Sequence, residues 1–192
     1  MEIGRLLAPI HSLGPGERIG LWTLGCDKNC KGCISPEFKN PDEKKDIPIQ
    51  LLVSIIRQTA KINECTGITI SGGDPFCQPE ELCKLLREIR GDFKDILVYT
   101  GYLYEDIAGG KYGDAARDAL TCIDVLIDGP YIEEENFCDV ILRGSKNQKI
   151  LIFNPELEEI YKEYMKEGRL LENFTGNGHL YTVGIQNGGQ DE

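Results

Sequence analysis

The chain has 192 residues with 21 Lys+Arg against 32 Asp+Glu, a formal net charge of −11. An acidic surface disfavours non-specific nucleic-acid binding and docking on anionic membranes, since both rest on basic clusters. Hydrophobic residues make up 41% and charged residues 28%, an ordinary composition for a soluble domain of one core, expected here as a single unit over 1–192.

No apolar run approaches the roughly 20 residues that span a bilayer. Residues 1–10 carry Glu2 and Arg5 and lack the apolar stretch of a signal peptide, so a cytoplasmic location is expected.

After a short opening segment, residues 19–24 (IGLWTL) form an apolar, β-favouring run that ends at Gly25 and leads into a cysteine-rich loop. Residues 36–48 are polar, contain Pro41 and a charge run, and read as a connection. Over 51–62, Leu51, Leu52, Ile55, Ile56 and Ile62 form one broad face of an amphipathic helix. Residues 67–71 (GITIS) predict a strand that stops at Gly72 and Gly73. Pro79, Glu80 and Glu81 then open a helix running to Arg90, since Pro and acids suit a first turn.

Residues 95–100 (DILVYT) and 122–127 (CIDVLI) predict two further strands. Helical stretches begin near Tyr104 and cover 114–120 between them. Short strands are expected at 140–142 and 150–153, a helix at 155–167 and a last strand at 180–185. The tail, 186–192, is polar and Gly-rich and is expected to fray. Strands alternating with helices give an α/β fold with parallel pairing. In such sheets functional loops leave the carboxyl ends of the strands. The cysteine loop, the Gly72-Gly73-Asp74-Pro75 turn, Thr100-Gly101 and Asp128-Gly129-Pro130 therefore share one rim.

Three of the eight cysteines, Cys26, Cys30 and Cys33, stand in a C-x3-C-x2-C spacing. Thiolates at that density favour zinc or an iron–sulfur cluster over a hard cation. A structural zinc site closes with four ligands. No second cysteine pair is present, and the candidates to close such a site are His11 and His179. Ordinary four-iron clusters also take four cysteines. Three clustered ligands thus imply either a distant fourth or one iron left open. Cys65, Cys83, Cys122 and Cys138 read as small buried residues, Cys77 as a solvent-side thiol, and Trp22 as core packing. No Ser/His/Asp set or Walker loop is present, so hydrolytic nucleophile chemistry has no support.

The C-x3-C-x2-C loop at the end of the first strand resembles the radical S-adenosylmethionine (SAM) superfamily. The resemblance implies a partial, open βα barrel of about six mostly parallel strands, with a core over about 14–153 and a C-terminal helix and strand over 154–185. It implies that Cys26, Cys30 and Cys33 hold a [4Fe-4S] cluster whose open iron binds SAM. Reduction of the cluster then cleaves SAM to methionine and a 5′-deoxyadenosyl radical. Ser71-Gly72-Gly73-Asp74 is similar to the family's glycine-rich motif, which implies backbone contact with the SAM ammonium and help from Asp74 in positioning it. By the same resemblance, Gly32, Thr100 and Asp128 are SAM contacts.

Residues 143–148 (RGSKNQ), Asp128-Gly129-Pro130-Tyr131 and the Gly32-Cys33 pair resemble the small activating enzymes of anaerobic ribonucleotide reductase. That subgroup implies an oxidoreductase that installs a glycyl radical on a larger partner enzyme and draws electrons from a reductant such as flavodoxin or ferredoxin. A short chain of this kind cannot roof its own site, so the partner is expected to close the open side. Gly14-Pro15-Gly16-Glu17-Arg18 departs from the subgroup's Asp-Gly-Pro-Gly-x-Arg by lacking the Asp and inserting Glu17. The alternatives are a radical SAM enzyme with another protein, peptide or small-molecule substrate, and a non-enzymatic zinc or electron-transfer module.

Overall fold

The computed structural model describes residues 1–176 and 178–186. Its main sheet has six strands: β1 (Ile3–Ile10), β2 (Arg18–Thr23), β3 (Gly67–Gly72), β4 (Asp95–Tyr99), β5 (Val125–Asp128) and β6 (Lys149–Ile152). They lie side by side in chain order. β2 to β5 are mutually parallel, while β1 and β6 close the two edges in antiparallel pairing. The crossovers carry α1 (Ile49–Ile62), α2 (Pro79–Ile89), α3 (Tyr104–Ala108) and α4 (Asp114–Ala119). After β6 come α5 (Glu158–Lys166) and a hairpin of β7 (Glu172–Gly176) with β8 (His179–Val183). No helix among the described residues is long and apolar enough to cross a membrane.

Sequential order has a geometric consequence. Right-handed crossovers that always step to the next strand put every helix on the same face of the sheet. The alternation of side chains shows the two faces directly. Ile19 and Leu21 of β2, Ile68 and Ile70 of β3, Ile96 and Val98 of β4 and Leu126 of β5 pack with α1, α2 and α4 in one core. The intervening residues face the other way. Leu97, Val125 and Ile127 pack under Leu157, Tyr161 and Tyr164 at α5, and Trp22 packs with Val183 and Ile185 at the hairpin. The side free of crossovers is thus partly covered by the chain's own C-terminal segment, a cover that the expected open side did not include.

Several expectations are corrected. The opening segment is a full strand, β1, whose pairing with β2 is interrupted by register shifts. Residues 140–142 are irregular, although Val140 and Leu142 are buried. The strand expected at 180–185 ends at Val183 and pairs with β7 in a sheet of its own. On α1 the buried residues are Leu52, Val53 and Ile56, whereas Leu51 and Ile62 are 54% and 71% exposed. Cys65, Cys83 and Cys122 are buried as expected, but Cys138 is exposed. Of the tail expected to fray, Gln186 is described and residues 187–192 lie outside the described residues.

At the amino end of the parallel strands, one buried cation ties four segments together. Arg18, with no exposed surface, donates from Nε to Thr69 Oγ1 at 2.8 Å, from Nη1 to the Pro15 carbonyl at 3.0 Å, and from Nη2 to the Ile68 carbonyl at 3.0 Å. Its Nη1 also pairs with Asp95, whose carboxylate accepts the Tyr161 hydroxyl of α5 at 2.9 Å. The inserted Glu17 fits this end as well: its carbonyl accepts the amides of Thr66 and Gly67 just where β3 begins.

A buried ion pair costs most when one partner is removed, because the other charge is left without compensation. Asp95→Ala is therefore expected to cost about 3–5 kcal/mol, and Tyr161→Phe, which deletes one hydroxyl, about 1 kcal/mol. Denaturant unfolding of the metal-free protein measures both.

Candidate functional site

The cysteine loop leaves the carboxyl end of β2 and is folded back on the segment that follows it. The amide of Gly25 donates to the Phe38 carbonyl at 3.0 Å and that of Cys26 to the Lys39 carbonyl at 2.9 Å. Cys26 and Cys30 are half-buried and Cys33 is exposed. All three line one cavity, together with Ser71, Gly72, Gly73 and Asp74.

Among the described residues, no three His, Cys, Asp or Glu side chains converge as they would on a single ion.

The end of β3 is laced to this loop. The Gly73 amide donates to the Thr23 carbonyl at 2.9 Å and the Asp74 amide to the Gly25 carbonyl at 2.8 Å. Gly72 has φ +118°, and a Cβ there would strike the backbone of Thr23. The two chains touch too closely for any side chain at this position.

Asp74 is 2% exposed. One carboxylate oxygen accepts the Thr100 hydroxyl at 2.9 Å and the Phe76 amide at 3.0 Å. The other accepts the Gly101 amide at 2.9 Å and lies 3.4 Å from Lys28 Nζ. Burial pushes Asp74 up from the usual carboxylate range, while Lys28 and these donors pull it back. Its bonds are spent on the protein, so it binds the ends of β3 and β4 to each other.

Lys28 sits over the Tyr102 ring, 3.0 Å from its centroid, and pairs with Asp27 at 2.9 Å. Tyr102 donates its hydroxyl to Asp27 at 2.7 Å. Cys77, expected on the solvent side, is half-buried behind this group, 3.5 Å from the Tyr102 hydroxyl. The neighbouring Cys77 thiol, helped by Lys28, lowers Cys26 to about 7. The nearness of Cys26, together with burial, pushes Cys77 up and keeps it protonated.

Of the remaining predicted contacts, Thr100 and Asp128 do not line the cavity, whereas their neighbours Gly101 and Gly129 do. Thr100 bonds Asp74, and Asp128 Oδ2 accepts the Tyr104 amide at 2.7 Å while its other oxygen is buried without a partner. Gly32 lies against Glu133, away from the cavity lining.

Residues 143–148 are no solvated loop. Gln148 accepts the amides of Gly144 and Ser145 at 2.9 and 3.1 Å and donates to the Gly129 carbonyl at 2.8 Å. Asn147 donates to the Pro130 carbonyl at 2.8 Å. Together they clamp the turn after β5. Sequence reasoning passed over Arg5, Lys28 and residues 182–186, all of which line the cavity. Arg5 was hidden in an unrecognised strand, and nothing local brings the C-terminal residues to this end.

Residues 12–151 match the family model described as a 4Fe-4S single cluster domain. The chain is 33% identical over 144 residues to the anaerobic ribonucleoside-triphosphate reductase-activating protein of Haemophilus influenzae, covering 71% of this chain and 88% of that one. The protein of the same name from Enterobacteria phage T4 is 32% identical over 142 residues, with 71% and 85% covered. That from Escherichia coli K12 is 30% identical over 143 residues, with 71% and 89% covered.

In the metal-free protein, alkylation of Cys26 by iodoacetamide should rise with a midpoint near about 7. Cys77→Ala removes the neighbour that favours the thiolate, so the midpoint should move up toward the ordinary value of 9.0. Peptide mapping by mass spectrometry across pH reads both.

Proposed function

Because this chain belongs to the 4Fe-4S single cluster family and, within it, to the anaerobic ribonucleoside-triphosphate reductase-activating proteins, we propose that it is a radical SAM activase that installs a glycyl radical on such a reductase. The single observation that carries this reading is the meeting, in one cavity, of three cysteine thiols with the Gly72-Gly73-Asp74 turn. The donor set that lines the cavity fits a cluster, being three cysteine sulfurs, with Cys77 beside Cys26 but outside the lining. When bound, the [4Fe-4S] cluster and SAM supply a 5′-deoxyadenosyl radical.

The chain's own residues hold and orient. Cys26, Cys30 and Cys33 would hold the cluster, with SAM bound beside it. The thiolate tendency of Cys26 favours metal loading at neutral pH. Ser71, Gly72 and Gly73 offer backbone edges to the amino-acid end of SAM, and the buried charge of Asp74 favours an ammonium nearby. Gly101 and Gly129 form the wall for the nucleoside end. Thr100, Asp128 and the 143–148 loop keep that wall in place. Gly32 acts through loop shape, against Glu133. A small electron carrier, flavodoxin or ferredoxin, is the reductant in this reading. The reactive carbon belongs to the reductase, and most of the difficult chemistry belongs to the cofactors.

Anaerobic reconstitution should give a four-iron cluster, and the reduced protein should turn SAM into 5′-deoxyadenosine. With the reductase encoded in the same genome, electron paramagnetic resonance should show a glycyl radical. One zinc per chain with no iron would overturn the reading. Cys26→Ser, Cys30→Ser or Cys33→Ser should each lose cluster absorbance and at least about 100-fold of activity, since even residues behind metal ligands cost 10–100-fold.

A further inference from the structure

The cluster reading leaves Cys77 without a task, yet the fold carries this thiol to the cysteine loop. Cys77 ends a short turn, Pro75–Cys77, that follows β3. Asp74 caps the turn and donates its amide to the Gly25 carbonyl at 2.8 Å, while the Cys77 amide donates to the Asp74 carbonyl at 2.9 Å. On the other side of Cys26, Asp27 Oδ1 accepts the Cys77 thiol at 3.8 Å. The Tyr102 hydroxyl, bonded to Asp27 Oδ2 at 2.7 Å, lies 3.5 Å from the same sulfur. Ties to residues 25 and 27 thus hold the Cys77 sulfur beside Cys26.

Cys26 is fixed as well, by the bonds that Gly25 and Cys26 make to the Phe38 and Lys39 carbonyls. Two sulfurs on anchored backbone therefore stand together without a loop having to move. They differ in access. Both are half-buried, but Cys26 lines the cavity and Cys77 stands outside the lining. A thiol open to small molecules with a second thiol behind it is the arrangement of an attacking and a resolving cysteine. Cys65, Cys83 and Cys122 are packed in the core on the helix side, away from any dissolved reagent.

We propose that Cys26 and Cys77 form a reversible disulfide in the metal-free protein, which takes Cys26 out of the ligand set until a thiol reductant restores it. The oxidant is a small-molecule disulfide such as oxidised glutathione. The Cys26 sulfur attacks one of its sulfurs, the small S–S bond breaks, and one small thiol leaves. The Cys77 sulfur then attacks the Cys26 sulfur of the mixed disulfide, and the second small thiol leaves with the remaining proton. Two protein thiols lose two electrons and two protons, and the small disulfide gains them.

A metal held by Cys26 excludes this reaction, because the same sulfur cannot serve both. The disulfide therefore marks chain that has lost its metal or has yet to receive it, and shields Cys26 from further oxidation. The block on metal loading rests on the reading of Cys26 as a ligand; the disulfide itself does not.

Trypsin cuts after Lys28 and Lys31, which places Cys26, Cys30 and Cys33 on three peptides. The metal-free full-length chain, incubated with oxidised glutathione, quenched with N-ethylmaleimide and digested without reductant, should yield the Cys26 peptide joined to Cys77. Cys30→Ser/Cys33→Ser should keep this link, and Cys77→Ala should carry glutathione on Cys26 instead. The linked form should take up iron and sulfide at least about tenfold more slowly than the reduced form and recover with dithiothreitol. Cys26 joined chiefly to Cys30 or Cys33, or Cys77 still alkylated once Cys26 is oxidised, would overturn the pair. Equal iron uptake by linked and reduced chain would overturn the block. Reduced chain that takes up no four-iron cluster would overturn the cluster reading and the block with it, while the linked peptide still decides the disulfide.

Discussion

A parallel sheet wound in a single direction covers only one of its faces with its own crossovers. Everything else in this molecule answers to that constraint. Because β2 to β5 follow one another in space as they do in sequence, their helices crowd one side and leave the other to be filled. Burial of apolar area is the main stabilising term available, and a bare face lined by Trp22, Leu97, Val125 and Ile127 would forfeit it. Two pieces from beyond the family match fill the gap. α5 seals the amino end, where Tyr161 also completes the Arg18–Asp95 pair. The hairpin seals the carboxyl end, beside the thiols.

The rim at the carboxyl ends of the strands is held by bonds between loops, not by the strands alone. Asp74 exemplifies this. Its carboxylate gathers Phe76, Thr100, Gly101 and Lys28, so the turns after β3 and β4 behave as one unit. Gln148 does the same for the turn after β5. Such cross-ties limit the motion of groups that must be placed to a fraction of an ångström.

How far the sequence could be read follows the range of the forces involved. The strands β2 to β5 announce themselves through short β-branched runs, and the cysteine spacing through its chemistry. Local pattern fails where partners are distant. Nothing within β1 marks it as a strand, since its place depends on β2 and its residues are mostly half-buried. On α1 apolar residues lie on more than one side, so periodicity alone could not choose Leu52, Val53 and Ile56 over Leu51 and Ile62. The rim was legible as a set of turns, yet the partners of Asp74 were not, since Lys28, Thr100 and Gly101 reach its carboxylate from distant parts of the chain. The hairpin's place beside residues 26–33 is set by contacts more than 140 residues apart in the chain.

That separation has a temporal side. Translation runs from the amino end at a finite rate, so the thiol loop leaves the ribosome long before the residues that will wall it. For that interval the nascent sheet has its reactive bay bare on the uncovered side. Arrival of the last strand pair adds the missing side, turning the order of synthesis into an order of assembly.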